Sequence, residues 1–467
     1  MGSTRGPLVG RALLAMTCRM RGADILGTLK RIQRAPFRSP DEIRDGQLRD
    51  VRALLAHAET LVPYYRTLFR NLGVRSQEIR DWDDFARLPI LTKDIIREEE
   101  RNLIREDVPV EQLQKHFSGG STGVPLKFFR SREYMVNSDA GSYRNLEQCG
   151  WRPGEMVAFF WGGSDKLYAM SKAEFEVRQY IRRMYQFDPF FAGEKDMEKW
   201  VQVFARIRPS VILGYASTIA MFAFFLERNG KTISGVKGAF TTAEKLYKPQ
   251  REVIERVFGC KVFDSYGSSE VQNIAAECTS GKMHINADYV VLEEDRAEGD
   301  GPRPFLVTAL QNYSMPFIRY RNEDCGYLSA ETCTCGNHFP LMKLEIARTS
   351  DNFVFPGGRV VHGEFFTHLM YGSSGIVTFQ FHQTAVDAIT LYIVPGPGDA
   401  QAREHKIKDA IRQIYAVTPD SPVHVDVLEV ESIPLSSAGK YRFTRSDVKA
   451  DATAESQQHE PASQSSS

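Results

Sequence analysis

In residues 40–116 the apolar positions recur at helical spacing. Leu48, Val51, Leu54 and Leu55 fall on one face, and Pro63 stops that helix because proline lacks the backbone donor the next turn needs. Between about 117 and 345 the pattern changes. Short apolar runs at 157–161, 211–214, 238–241 and 261–263 read as strands, with helical stretches at 197–207 and 219–229 between them. Such alternation predicts α/β layering. Further on, Val377, Phe379 and Phe381 alternate, as do Ile389, Leu391 and Ile393, and later Val423, Val425 and Val427. Between the last two runs Ile407, Ala410, Ile411 and Ile414 share one helix face, which makes a ββαβ unit.

The fold class expected is therefore α/β: a large multi-layer N-terminal domain over 1–347 and a small α+β C-terminal domain over 348–448. Residues 1–40 give no defined pattern. Residues 449–467 have no apolar period and are rich in Ser, Gln, Glu and Ala, so a disordered tail is expected. No internal repeat is visible.

Composition narrows the class. The chain has 467 residues, 42% hydrophobic and 25% charged, with a formal net charge of zero. That is ordinary globular material with no overall field to select nucleic acid or a membrane surface. No apolar run reaches the roughly 18 residues of a transmembrane helix. The basic N-terminal stretch is broken by Arg11 and lacks a signal-peptide core, and Gly6 stands where myristoylation needs Ser or Thr. A cytoplasmic protein, monomeric or homodimeric, is expected. The 7 cysteines do not make a disulfide framework in a chain this long.

Four segments could carry chemistry. Ser118, Gly119, Gly120, Ser121, Thr122 and Gly123, followed by Val124-Pro125, mix glycines with hydroxyls, and such a loop can wrap an anion with its backbone N–H groups. It is not a Walker loop, since no Gly-Lys-Ser/Thr follows, and this argues against a kinase or a Walker-type ATPase. Tyr266-Gly267-Ser268-Ser269-Glu270 follows a predicted strand, where a carboxylate can hold Mg²⁺. Asp324, in Tyr320-Arg321-Asn322-Glu323-Asp324, could accept hydrogen bonds from ribose hydroxyls. Lys440, in Ser436-Ser437-Ala438-Gly439-Lys440, could reach a reacting anion from a small-residue loop. Each of the four also reads as an ordinary turn or surface charge when taken alone.

The order and spacing of the four resemble the adenylate-forming superfamily of acyl-CoA synthetases and adenylation domains. The resemblance is strongest to the phenylacetate–CoA ligase branch with its capsular-biosynthesis relatives, over about 45–447. Val62-Pro63-Tyr64-Tyr65-Arg66 and Leu88-Pro89-Ile90-Leu91-Thr92-Lys93 look like that branch's entry region. The resemblance implies that a carboxylic acid attacks the α-phosphate of ATP to give an acyl-adenylate and pyrophosphate. A thiol, commonly that of coenzyme A, then displaces AMP. It implies that Ser118 to Gly123 hold the β- and γ-phosphates, Tyr266 and Gly267 lie near the adenine, Glu270 binds Mg²⁺, and Asp324 binds the ribose with Arg348 nearby. Lys440 approaches the α-phosphate from a swivelling lid hinged at Arg348-Thr349-Ser350-Asp351. Glu323, Ala347 and Ser350 depart from the family's usual Gly, Gly and Asp, which touches the hinge more than the charged groups.

Two further expectations follow. Cys278, His284, Cys333 and Cys335 would satisfy tetrahedral Zn²⁺ with three thiolates and one imidazole, leaving no open position, so the ion would be structural. Members of the branch carry a similar Cys/His arrangement; free surface thiols are the alternative. Trp161, Gly162, Tyr215 and Thr241 stand at predicted strand ends, where α/β sheets bind ligands, and are expected to border the acid pocket. Plain core packing is the alternative there. By family analogy the acid is aromatic or medium-sized. A carrier-protein thiol or an amine as acceptor, or a degenerate scaffold, remain alternative readings, though retention of Glu270, Asp324 and Lys440 argues against the scaffold.

Overall fold

The computed structural model describes residues 5–20, 22–117, 126–161, 170–188, 194–295, 301–345, 353–356, 360–361, 366, 369–370, 375–396, 400–418, 423–434 and 442–448. Its contacts divide the chain into two units: Met1–Asn322 with Gly326–Glu345, and Glu323–Cys325 with Ile346–Ser467. The chain is the mixed α/β protein that the patterning predicts.

In the first unit the helix Pro40–Leu61 starts at a capping box, Ser39 with Glu42, and buries Ile43, Val51, Leu54, Leu55 and Ala58 along one stripe. Pro63 ends it, as expected, and also opens the next helix, Pro63–Leu72, where its missing N–H would have been unpaired anyway. The N-terminal stretch, where no pattern is legible, forms helices Arg5–Met20 and Ile25–Ile32. Their Leu14, Cys18, Ile25 and Leu29 join a core cluster with Leu146, Trp151 and Phe263.

Thirteen strands are described in this unit, counting β12, whose residues 323–325 group with the second. They are β1 Gln114–Phe117, β2 Lys127–Arg130, β3 Val157–Phe160, β4 Met184–Phe187, β5 Val211–Tyr215, β6 Gly238–Thr242, β7 Lys261–Tyr266, β8 Ala275–Glu277, β9 Met283–Ile285, β10 Val290–Glu294, β11 Arg303–Ala309, β12 Tyr320–Ser329 and β13 Leu341–Leu344. β1 and β2 form a hairpin that begins inside the stretch expected to be helical. The other eleven make one sheet, ordered β10-β11-β12-β13-β9-β8-β7-β6-β5-β3-β4. The β4-β3-β5-β6-β7 part is parallel. Beyond it β7/β8, β8/β9, β9/β13, β12/β13 and β10/β11 pair antiparallel.

The parallel part packs on helices Glu194–Ile207 and Ala216–Arg228 through a stack of rings. Phe160 lies 5.0 Å from Phe187, 5.3 Å from Trp200 and 5.7 Å from Phe222. Aromatic runs on these strands are thus mostly core, and the C-terminal ends of β3, β5, β6 and β7 are left to carry a site.

The second unit holds β14 Phe353–Val354, β15 Val360–Val361, β16 Ile376–Ala385, β17 Ala388–Pro395, β18 His424–Glu429 and β19 Thr444–Ser446. Its main sheet runs β18-β17-β16-β19, and the helix Ala400–Val417 turns Ala410 and Ile414 inward. The ββαβ pattern is present with β19 added, a strand of 3 residues that is too short to show a period.

Candidate functional site

Residues 118–125, Gly162, Arg348 and Lys440, all expected site residues, lie outside the described residues. The loop is flanked by the β1/β2 hairpin, which pairs Phe117 with Lys127.

Tyr266 ends β7 where the parallel sheet gives way to the antiparallel part, and the turn after it carries Gly267 and Glu270. Ser268 N–H donates to the Val271 carbonyl over 2.8 Å, and Val271 N–H donates back to the Ser268 hydroxyl over 3.0 Å. A side chain at Gly267 would meet the Asn273 amide at 3.1 Å, so the turn closes tightly. Glu270 is buried, with 6% exposed. Among the described residues its carboxylate is approached by one hydroxyl, that of Tyr320 at 3.5 Å, the outer limit of a hydrogen bond. Two residues along β12, Asn322 Nδ2 donates 2.6 Å to the Tyr266 hydroxyl, and both side chains are buried. Asp324 lies a further two residues along the strand and is buried. A buried carboxylate with one weak hydrogen bond among the described residues is the donor chemistry a hard dication requires, so Glu270 fits Mg²⁺.

The pocket residues divide. Trp161 and Tyr215 stack at 4.4 Å between centroids and 19° between planes, and Phe159 stacks on Trp161 at 5.5 Å. Burial, with Glu244 and Asp188 nearby, holds the Tyr215 hydroxyl protonated. Thr241 is fully buried, and its hydroxyl donates 2.7 Å to Asp264, which also accepts from Ser265 N–H at 3.0 Å. Thr241 therefore belongs to the floor under the strand ends. Burial pushes the Asp264 carboxyl up to about 7, opposed by the Thr241 hydrogen bond. Glu277 accepts from the Asp264 amide at 2.9 Å and from Arg251 at 2.6 Å.

The four cysteine and histidine positions converge. Their ligand atoms all lie within 4.8 Å of one another. Cys278 Sγ is 3.7 Å from Cys333 Sγ, and Cys335 Sγ is 3.4 Å from His284 Nε2. Two sulfurs bound tetrahedrally at about 2.3 Å from one zinc would be about 3.8 Å apart. His284 Nδ1–H donates 2.8 Å to the Phe339 carbonyl, which leaves the Nε2 lone pair facing the thiols. The cysteines are free, and an ion pair of 2.6 Å between Lys282 and Glu331 joins the same two loops. The donor set fits zinc.

No protein-family model matches the chain. Protein CapK of Staphylococcus aureus is 24% identical over 368 residues, which is 78% of this chain and 80% of that protein. The phenylacetate–coenzyme A ligase of Thermus thermophilus is 27% identical over 342 residues, 68% of this chain and 73% of that one. The Escherichia coli phenylacetate–coenzyme A ligase is 28% identical over 307 residues, 61% and 67%. The chain is a relative of the phenylacetate–coenzyme A ligases and CapK. Among solved structures, 2-hydroxyisobutyryl-CoA ligase in its postadenylation state matches with TM-score 0.70 at 20% identity, covering 91% of this chain and 94% of that one. The fold is therefore that of an adenylate-forming ligase.

Sequence reasoning missed Arg130, Tyr134 and Asp264. A charged residue inside the aromatic run Phe128-Phe129-Arg130, just past a glycine-rich loop, was the available signal. Asp264 offered none, because its burial arises from strands that are distant in sequence.

Proposed function

We propose that the chain activates a carboxylic acid with ATP, releasing pyrophosphate, and passes the acyl group to the thiol of coenzyme A, releasing AMP. The buried Glu270 carboxylate, met among the described residues by one distant hydroxyl and set at the sheet junction of an adenylate-forming ligase fold, carries this reading. In the first step a carboxylate oxygen of the acid bonds to the α-phosphorus and pyrophosphate leaves. In the second, the thiol sulfur bonds to the acyl carbon, AMP leaves, and the thiol proton goes to solvent.

Catalysis of this kind needs positioning and neutralisation of charge more than a covalent catalyst. Glu270 would hold Mg²⁺, which neutralises phosphate charge when bound. Residues 118–123 would hold the β- and γ-phosphates by backbone N–H groups and hydroxyls. Tyr266, fixed by Asn322, and Gly267 border the adenine, and Asp324 takes the ribose hydroxyls with Arg348. Lys440 reaches the α-phosphate from the swivelling unit that begins near 348. The Trp161–Tyr215 stack offers a flat apolar wall to an aromatic or medium-sized acid, with Gly162 beside it and Thr241 under it. Zinc at Cys278, His284, Cys333 and Cys335 is structural, since four protein ligands leave no coordination position open. A cytoplasmic location accords with this reading.

The test is acid-dependent ATP–pyrophosphate exchange across a panel of carboxylic acids, followed by coenzyme A with detection of AMP and thioester. Exchange with aromatic or medium-sized acids is expected. Exchange with no acid refutes the activity, and exchange only with long-chain fatty acids refutes the pocket assignment. Exchange without thioester would turn the acceptor to an amine or a carrier-protein thiol.

A further inference from the structure

Behind the Glu270 turn lies a buried cation that forms no close ion pair among the described residues. Arg130 closes β2, the strand that leaves the glycine-rich loop, and is 2% exposed. Its guanidinium sits between the rings of Phe128 and Tyr134, 4.9 Å from each centroid. Nη2 donates to the carbonyl of Ser269 and, over 3.2 Å, to the carbonyl of Glu270. Nε has no hydrogen-bond partner, and no carboxylate forms an ion pair with this arginine among the described residues. Burial draws its pKa below the ordinary arginine value, and Tyr134 and Glu270 draw it back; an arginine stays charged regardless. Desolvating an arginine to hold two carbonyls is a poor stabilising arrangement. It is a precise way to hold a turn.

The neighbouring helix Arg132–Gln148 completes the hold. Tyr134, Ser138 and Ser142 recur every four residues and so share one face. The Tyr134 hydroxyl accepts the Gln272 N–H at 3.3 Å, and the Ser138 hydroxyl donates 2.5 Å to the Gln272 side chain. Asn273 donates 2.9 Å to the Ser138 carbonyl and accepts from Ser142 at 3.1 Å, while its backbone sits at φ 54°, a left-handed conformation unusual for a residue with a side chain. Every residue from 269 to 273 except Val271 is gripped from behind by Arg130 or this helix face.

We propose that Arg130 is a positioning residue for the metal–nucleotide site, binding the Glu270 turn to the strand that leaves the phosphate loop, with Tyr134 as its partner. The proposal rests on the reading of Glu270 as the magnesium carboxylate. One side chain then fixes the spacing between the group that would hold the metal and β2.

The experiment uses the full chain with Arg130→Lys, Arg130→Met, Tyr134→Phe and Glu270→Gln. Pyrophosphate exchange is titrated with Mg²⁺, and amide hydrogen exchange of 268–273 is followed without nucleotide. In Arg130→Met the Mg²⁺ needed for half-maximal exchange should rise about tenfold, the scale for losing a residue that orients a metal ligand. Arg130→Lys and Tyr134→Phe should show smaller shifts, the KM for the acid should not move, and the Gln272 amide should lose protection. An unchanged Mg²⁺ requirement with unchanged protection overturns the proposal, as does a parallel rise in the KM for the acid. If Arg130→Met does not fold, the same outcomes are read from Arg130→Lys and Tyr134→Phe, which keep the charge or the ring. Glu270→Gln separates the two layers. If it leaves the Mg²⁺ dependence unmoved, the magnesium reading fails; if it shifts while the other variants do not, only the positioning role fails.

Discussion

The three-residue strand β8, Ala275–Glu277, has a polar corner at each end, and the two are held together in opposite ways. On the N-terminal side, the 269–273 segment is gripped by Arg130, Tyr134, Ser138 and Ser142, all from the protein itself. On the C-terminal side, Cys278 faces Cys333 at 3.7 Å, a spacing that the proposed zinc would span. The difference is one of timing and purpose. On the proposed function, a corner that accepts a substrate-borne dication and releases it is shaped in advance by hydrogen bonds. A corner that only joins two loops can leave its geometry to the metal.

That contrast can be broken most sharply at the zinc corner. Protein purified without added zinc should carry about one equivalent per chain, as four protein ligands imply. Cys278→Ser should lose the metal and about 4–5 kcal/mol or more of stability in denaturant unfolding, the scale of losing a structural metal. Full stability in a protein free of zinc would end the distinction between the corners.

Next in size is the magnesium corner. Glu270→Gln should slow pyrophosphate exchange by about 10²-fold, and Lys440→Ala by about as much, each removing one stabiliser of developing charge. Neither should alter zinc content. Unchanged exchange in the lysine variant would refute its role in adenylation.

A third measurement probes the body of β8 rather than its ends. Glu277 accepts the Asp264 amide, and burial raises the Asp264 carboxyl to about 7, against about 3.8 for an aspartate free in water. The folded state therefore binds this proton more tightly than the unfolded chain does. The resulting stability is fully present below about pH 4 and is lost as pH rises through about 7, at most by about 1.4 kcal/mol per pH unit. Asp264→Asn should flatten that slope in the midpoint of denaturant unfolding. A slope equal to the parent's would mean that Asp264 titrates normally.

The smallest effect expected is Tyr266→Phe. It removes the 2.6 Å hydrogen bond from the buried Asn322 amide, which costs about 1–2 kcal/mol. It should also raise the KM for ATP while leaving that for the acid unchanged; a rise in both would place Tyr266 in general packing.

Much of the fold was legible because it rests on local periodicity. The strands predicted at 211–214 and 238–241 are observed as Val211–Tyr215 and Gly238–Thr242, and the helix face of Leu54 and Leu55 is buried as its spacing requires. Strands of 3 residues such as β8, β9 and β19 were not legible, because so short a run shows no period. The N-terminal helices escaped notice because their mixed composition conceals the few positions, Leu14 and Cys18 among them, that reach the core. Within the candidate site the motif singled out Glu270, which the fold buries. Thr241 was placed at the pocket edge by its strand end, but only the fold turned its hydroxyl down onto Asp264.

By itself the sequence determined which residues could do chemistry: a glycine-rich loop, isolated acids and a lysine in a fixed order, and thiols spaced to share an ion. It also determined the α/β layering, since apolar periods of two and of 3.6 are written into the chain. The tertiary structure alone decided what each of these groups meets. It set the Glu270 carboxylate at the margin of reach of one hydroxyl, brought Cys278 to Cys333 across 55 positions of sequence, and buried Arg130 behind the turn it holds. Those outcomes depend on which strands lie side by side, and strand order is a property of the packed sheet that no local pattern contains.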